Sequence, residues 1–267
     1  MSHELHLHKI GPINDCRLTL DTFTVLTGPQ ANGKSTVAKA VYFFRSVKQD
    51  ILSIMMQGGP KAVTGESSSA WHTVLKQRMK DKFLQLFGTS WVMPSDMKME
   101  YQYSSQASIT VSLDDDYNDP SRNYIVIDFS ESIDNYLDAL GSHIFTNITP
   151  AQKAYEEKKL NELFDDPYEP VFIPAGRNLL TLLSTQLNYI FTSLEDSQLR
   201  NIDYVTKRYT ELILRLKPVF AHGMEGVADR MKDDPTQAKK YERIRPALNI
   251  LMDLSLIHIS EPTRHLR

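Results

Sequence analysis

Cysteine is almost missing from this sequence: Cys16 stands alone among 267 residues. A single thiol excludes an internal disulfide framework and fits a reducing compartment. Long apolar runs are missing too. The longest helical candidates are interrupted by Lys, Arg or Asp, so none supplies the roughly 20 apolar residues needed to span a bilayer. Residues 1–15 have neither the basic start nor the apolar stretch of a secretory signal. These absences predict a cytoplasmic protein with no membrane partner. An excess of one charge is also lacking. Thirty basic against 33 acidic residues leave a net charge of −3, which advertises no nucleic-acid or membrane surface. Internal repeats and low-complexity tracts do not occur. What remains, 41% hydrophobic and 24% charged residues, describes an ordinary globular chain. It is long enough for one large domain or two small ones with a real core.

Along the chain, residues 5–10 alternate and predict a strand. Gly11-Pro12 forces a turn, after which Cys16, Leu18 and Leu20 fall on one face of a second strand. Residues 22–27 (TFTVLT) are β-branched and largely apolar, the pattern of a strand buried on both faces. After the loop GPQANGK the period changes, with Val37, Ala40, Val41, Phe44 and Val47 on one helical face. The Gly- and Ser-rich residues 57–69 predict a loop, and residues 70–87 a helix. Residues 97–103, 107–113 and 123–129 read as antiparallel strands, separated by SSQ and by the acidic turn DDDYNDPSR. Helices dominate from Ile133, except for a short apolar strand at 170–174.

The chemistry concentrates in Gly28-Pro29-Gln30-Ala31-Asn32-Gly33-Lys34-Ser35, a full match to G-x-x-x-x-G-K-[ST]. Glycines let the backbone curl with its N–H groups inward, where a Cβ would obstruct. At a helix N-terminus those groups form a fixed positive cradle for phosphate oxygens. The pattern therefore predicts a nucleotide site, most simply for ATP with Mg²⁺. Gly28, Asn32, Gly33 and Thr36 would line the phosphates, Lys34 would reach the β- and γ-phosphates, and the Ser35 hydroxyl would hold the metal. The alternative is a glycine-rich turn that only caps a helix.

The wider segment HLHKIGPINDCRLTLDTFTVLTGPQANGKSTVAKAVYFF resembles the N-terminus of the ABC-type AAA-family ATPases, a group that includes SMC-like and OLD-like (overcoming lysogenization defect) proteins. There, a strand, a G-P-I turn and a second strand lead into G-P-[QN]-x-[SA]-G-K-S-T. Asn32 departs from that pattern, where Ser or Ala is usual. VFIPAGRNLL at 171–180 resembles a second family segment, [YF]-I-P-A-x-R. The two segments cover about fifty residues, and the rest matches only in layout. The resemblance implies an α/β fold with an incomplete P-loop ATPase core over residues 1–50. A helix and antiparallel strand insert at 51–132 and a helical lobe at 133–253 would follow. It also implies ATP-driven closure of two heads in a homodimer, and, by analogy alone, a DNA or nuclease partner in defence or repair. A working member also needs a strand ending Asp-Glu, a Ser-Gly-rich signature and a later His. None of these occurs between Phe172 and Asp253, so the chain reads as the front portion of an ATPase without its hydrolytic half. The end, LSLIHISEPTR, resembles the conceptual translation of a sequencing-library adaptor, which marks residues 254–267 as an artefactual tail.

Other patterns carry weaker readings. Tyr124-Ile125-Val126-Ile127-Asp128 has the form of a Walker B strand, which would make the chain a stand-alone P-loop kinase or small NTPase with Asp128 on the metal. The competing reading is an antiparallel strand with Asp128 at its exit. His3, His6 and His8 lack the accompanying acids or thiols of a metal site and read as a solvated strand edge. Arg177 either approaches the phosphates or the dimer partner, or forms a structural ion pair. The charge runs at 156–159 and 239–245 read as solvated helix faces. A non-catalytic nucleotide-binding fragment is the third reading of the whole chain.

Overall fold

A computed structural model of the chain describes residues 2–64, 70–116, 119–141, 145, 148–175 and 203–216. Two compact units divide the chain, residues 1–172 with 203–205, and residues 173–202 with 206–267. The described part of the second unit is residues 173–175 and the bulk of one helix, α7 (Tyr204–Leu216).

The first unit is mixed α/β, a five-stranded antiparallel sheet covered by helices. Strands β1 (His3–Ile10) and β2 (Ile13–Leu20) form a hairpin. Its turn is Gly11-Pro12, and Gly11 has φ +54°, a conformation that suits glycine. Helices α1 (Lys34–Arg45), α2 (Val47–Met56), α3 (Pro60–Thr64) and α4 (Trp71–Phe87) come next. Strands β3 (Lys98–Gln102), β4 (Ser108–Asp116) and β5 (Asp119–Phe129) then return to the sheet. Helices α5 (Glu131–Gly141) and α6 (Pro150–Leu163) follow. The strand order is β2-β1-β3-β4-β5. The strands at 98–129 are therefore a direct continuation of the N-terminal hairpin through the β1–β3 pairing.

Side-chain alternation gives the sheet one apolar face. Leu5, Leu7, Met99, Tyr101, Ile109, Val111, Ile125 and Ile127 are buried there against Phe43, Phe44, Ile51, Leu75, Met79 and Phe83 of the helices. Each such side chain contributes roughly 1.5–3 kcal/mol on burial. Phe44 stacks on Tyr101 with ring centroids 5.2 Å apart, and Tyr103 meets Phe164 edge-on at 4.8 Å. Buried polar groups are partnered. Arg45 donates two hydrogen bonds of 2.7 Å to the Asp166 carboxylate. Lys48 donates to Asn161 and to the Asp166 and Tyr168 carbonyls. Lys82 pairs with Asp50 and donates to Ser46. A capping box at Thr149 and Gln152, with Pro150 in the first turn, starts α6.

Five expectations are corrected. Residues 22–27 form no strand, and Phe23 and Val25 are 84% and 64% exposed. A strand buried on both faces needs a neighbour on each side, and among the described residues none pairs with this segment. Residues 170–174 likewise form no strand. Phe172 instead sets its ring edge-on to Tyr42 at 5.9 Å. The predicted loop at 57–69 contains the short helix α3, and the acidic segment after Leu113 is largely strand, because β4 and β5 run on to Asp116 and from Asp119. The histidines are not on an edge, since β1 lies between β2 and β3. His3 faces inward, 7% exposed, with its Nδ1 2.8 Å from the Tyr101 hydroxyl.

Candidate functional site

The glycine loop leads straight into α1, which begins at Lys34. Gly28, Ala31 and Gly33 have φ of +144°, +66° and +87°. These positive values let the backbone turn where most side chains would strain it. Gly33 is doubly required. Its φ is one that L side chains rarely adopt, and a Cβ there would stand 2.6 Å from Cγ1 of Ile13, the first residue of β2. The hairpin turn also lies near α1, since a Cβ added to Gly11 would come to ordinary contact distance, 3.6 Å, of the Thr36 hydroxyl.

The electrostatics suit an anion. Gly33 provides no side-chain cap to α1, and the first turn contains no acidic residue. The leading N–H groups of the helix are thus left to solvent or to a ligand, at the positive end of the macrodipole. Gly28 to Asn32 are exposed, as is Ser35, while Lys34 and Thr36 are half-buried and Gly33 is buried. Lys34 Nζ donates to the Gly28 carbonyl at 2.8 Å and also to the Pro29 carbonyl. Its ammonium therefore already lies across the loop. This arrangement suits a phosphate: backbone donors, one cation beside them and no carboxylate in the first turn. The Ser35 hydroxyl is the first-turn oxygen open to a hard cation. Among the described residues no group of three or more His, Cys, Asp or Glu side chains is placed to hold a metal by itself.

The predicted site residues Gly28, Asn32, Gly33, Lys34, Ser35 and Thr36 lie on the loop and the first turn of α1. Asp128 does not join them. It sits on β5, the edge strand opposite β2, while the loop is braced by the β1–β2 hairpin. From β1 to β5 the sheet spans roughly 14 Å. Asp128 is exposed while Ile125 and Ile127 are buried, so it points to the face away from the helices. Arg177 lies outside the described residues, as do the run at 239–245 and the tail at 254–267.

Ile13 and Gly11 are the supporting residues that sequence reasoning missed. The G-P-I turn was the available signal, because a hairpin kept that tight has something to pack against. On the helix-free face, Asp15 accepts from His6 at 2.9 Å and His8 at 3.3 Å. Those bonds hold its carboxyl below the usual range. Beside them a concavity of about 300 Å³ is lined by Glu4, His6, Arg17, Thr19, Glu100 and Gln102.

No family model, no curated protein and no solved structure matches this chain. Among the described residues, no helix is long and apolar enough to cross a membrane.

Proposed function

We propose that this chain binds a nucleoside triphosphate, most simply ATP with Mg²⁺, through Gly28, Asn32, Gly33, Lys34, Ser35 and Thr36. The observation that carries the reading is the uncapped start of α1. A loop with three positive φ values leads into a helix start with no side-chain cap, with Lys34 beside it and no carboxylate in the first turn. Backbone N–H groups of the loop and the helix start would hold phosphate oxygens, Lys34 would release the loop carbonyls to meet the terminal phosphates, and Ser35 would take a place in the metal's shell. The bound metal would neutralise phosphate charge.

The broader reading is the N-terminal portion of an ABC-type AAA-family ATPase, cytoplasmic, whose heads pair around nucleotide in the complete protein. The G-P-I hairpin bracing the loop supports it. A role on DNA in defence or repair is analogy to that group. The stand-alone kinase reading draws no support, because Asp128 lies on the far edge and opposite face of the sheet. Binding without hydrolysis is the activity proposed for the residues in hand.

The test is equilibrium binding of a fluorescent ATP analogue with Mg²⁺. The Lys34→Ala variant is expected to lose binding while keeping the wild-type circular dichroism spectrum. Binding by that variant equal to wild type would sink the assignment. An Asp128→Asn variant is expected to bind as wild type does.

A further inference from the structure

Strand β2 is the outermost strand of the sheet. It pairs with β1 on one side, and among the described residues no strand pairs with it on the other. Eight residues long, free of proline and regularly alternating, it has few of the devices that keep edge strands from recruiting a partner. The opposite edge strand, β5, contains Pro120, which cannot donate to a ladder.

The one device β2 does have is charge. Asp15 and Arg17 are both exposed and project from the same face, two residues apart. What these charges forbid also shows what they allow. When two copies of a strand pair antiparallel about a two-fold axis, the numbers of directly opposed residues sum to a constant, and that constant must be even for the free backbone groups to meet. Centring the axis on Asp15 opposes two carboxylates, and centring it on Arg17 opposes two guanidinium groups. Centring it on Cys16 opposes Asp15 with Arg17 twice, once on each side of the axis. Opposed unlike charges on a sheet face attract and like ones repel. One central register is therefore favoured and its two neighbours are penalised.

We propose that β2 is a self-association surface, on which two copies of this chain pair antiparallel about Cys16 and continue the five-stranded sheet across a two-fold axis. The seam pairs the outer edge of β2, to which no strand among the described residues is bonded, in both copies. It places the two Cys16 Cα atoms about 4.5–5.5 Å apart, within the span of roughly 4.4–6.8 Å that a disulfide or a short cross-linker bridges. The association needs no nucleotide and stands apart from the nucleotide-binding reading.

The experiment is sedimentation velocity on the full chain at micromolar concentration, with and without ATP-Mg²⁺, together with cross-linking by a short bismaleimide. A nucleotide-independent dimer, covalently captured through Cys16, is the expected result. Arg17→Asp and Asp15→Arg are each expected to weaken association by about tenfold or more, since two attractive pairs become repulsive. Mixing these two variants in equal amounts restores the dimer, because each then opposes the other's charges. That rescue separates a charge effect from misfolding. A monomer at all concentrations, a dimer indifferent to both variants, or a dimer whose Cys16 residues do not cross-link would overturn the proposal. A dimer formed only with ATP-Mg²⁺ would also overturn it, assigning the contact to the nucleotide site.

Discussion

Gly33 and Ile13 share a contact that no other residue at position 33 permits: a methyl group there would stand 2.6 Å from Cγ1 of Ile13. The last glycine of the loop is thus locked to the first residue of β2. Gly33→Ala adds left-handed backbone strain to a steric overlap, and together these are expected to cost about 2–4 kcal/mol. Gly88 supplies the control. Its φ of +89° and ψ of −169° are nearly confined to glycine, and a Cβ added there would meet nothing within 4 Å, so Gly88→Ala reports backbone strain alone, about 1–3 kcal/mol. Urea unfolding of both variants measures the difference. Gly33→Ala should cost less in an Ile13→Ala background than in the wild type, and an equal cost in both would show that Ile13 is not the obstacle.

Asp166 is buried at 3% exposure and holds Arg45 through both carboxylate oxygens. Burial works against its charge, but the Arg45 hydrogen bonds, the Tyr168 N–H and the nearby cations outweigh it and hold the carboxyl below the ordinary range. A group depressed in the folded state contributes stability above its unfolded pKa of about 3.9 and loses it as the pH falls through the folded value. Asp166→Asn is expected to cost about 2–3 kcal/mol at pH 7, discounted for the partly exposed Arg45. It should also flatten the acid limb of the stability curve below about pH 4. Chemical denaturation across pH 3–7 checks both, and an unchanged acid limb would count against this pair.

His3 works in the opposite sense. Burial lowers its pKa, although the Asp165 carbonyl at 3.3 Å and the charge of Asp166 pull the other way. The folded state therefore prefers the neutral ring, and the unfolded chain binds the proton more readily. Stability is full above about pH 6.5 and declines as the pH falls through that value. His3→Gln, which cannot take the charge, should be flatter between pH 7 and 5. A thermal-unfolding series shows this. Identical slopes for the two proteins would rule His3 out as their source.

Periodicity carried most of the fold. The Gly11-Pro12 turn marked the hairpin, three alternating runs marked β3 to β5, and the apolar spacing from Val37 marked the helical layer. The loop motif was also complete in the sequence, because its residues are adjacent in the chain. What could not be read was long-range. Arg45 and Asp166 are 121 residues apart and carry no local signature of each other. His3 looked like one of three exposed histidines until β3 brought Tyr101 beside it. Tyr124 to Asp128 allowed a phosphate-site strand beside the antiparallel strand that forms, since a short apolar run ending in Asp has that form in any sheet. Position in the sheet is what places Asp128 away from Ser35. Residues 22–27 show the same limit from the other side. Their composition announced burial, but composition names no partner strand.

That segment yields the last prediction. Phe23 and Val25 are exposed immediately before the glycine loop, and adjacent exposed apolar side chains bind hydrophobic dyes and promote association. Because neither is packed, Phe23→Ser combined with Val25→Thr should leave stability within about 0.5 kcal/mol of wild type. The same variant should lower 1-anilinonaphthalene-8-sulfonate fluorescence and light scattering. Nucleotide binding should persist, because Gly33 is braced by Ile13 and not by this segment. A fall in melting temperature of several degrees would instead mean that residues 22–27 are packed in solution. The reading of that run as a buried strand would then regain its force.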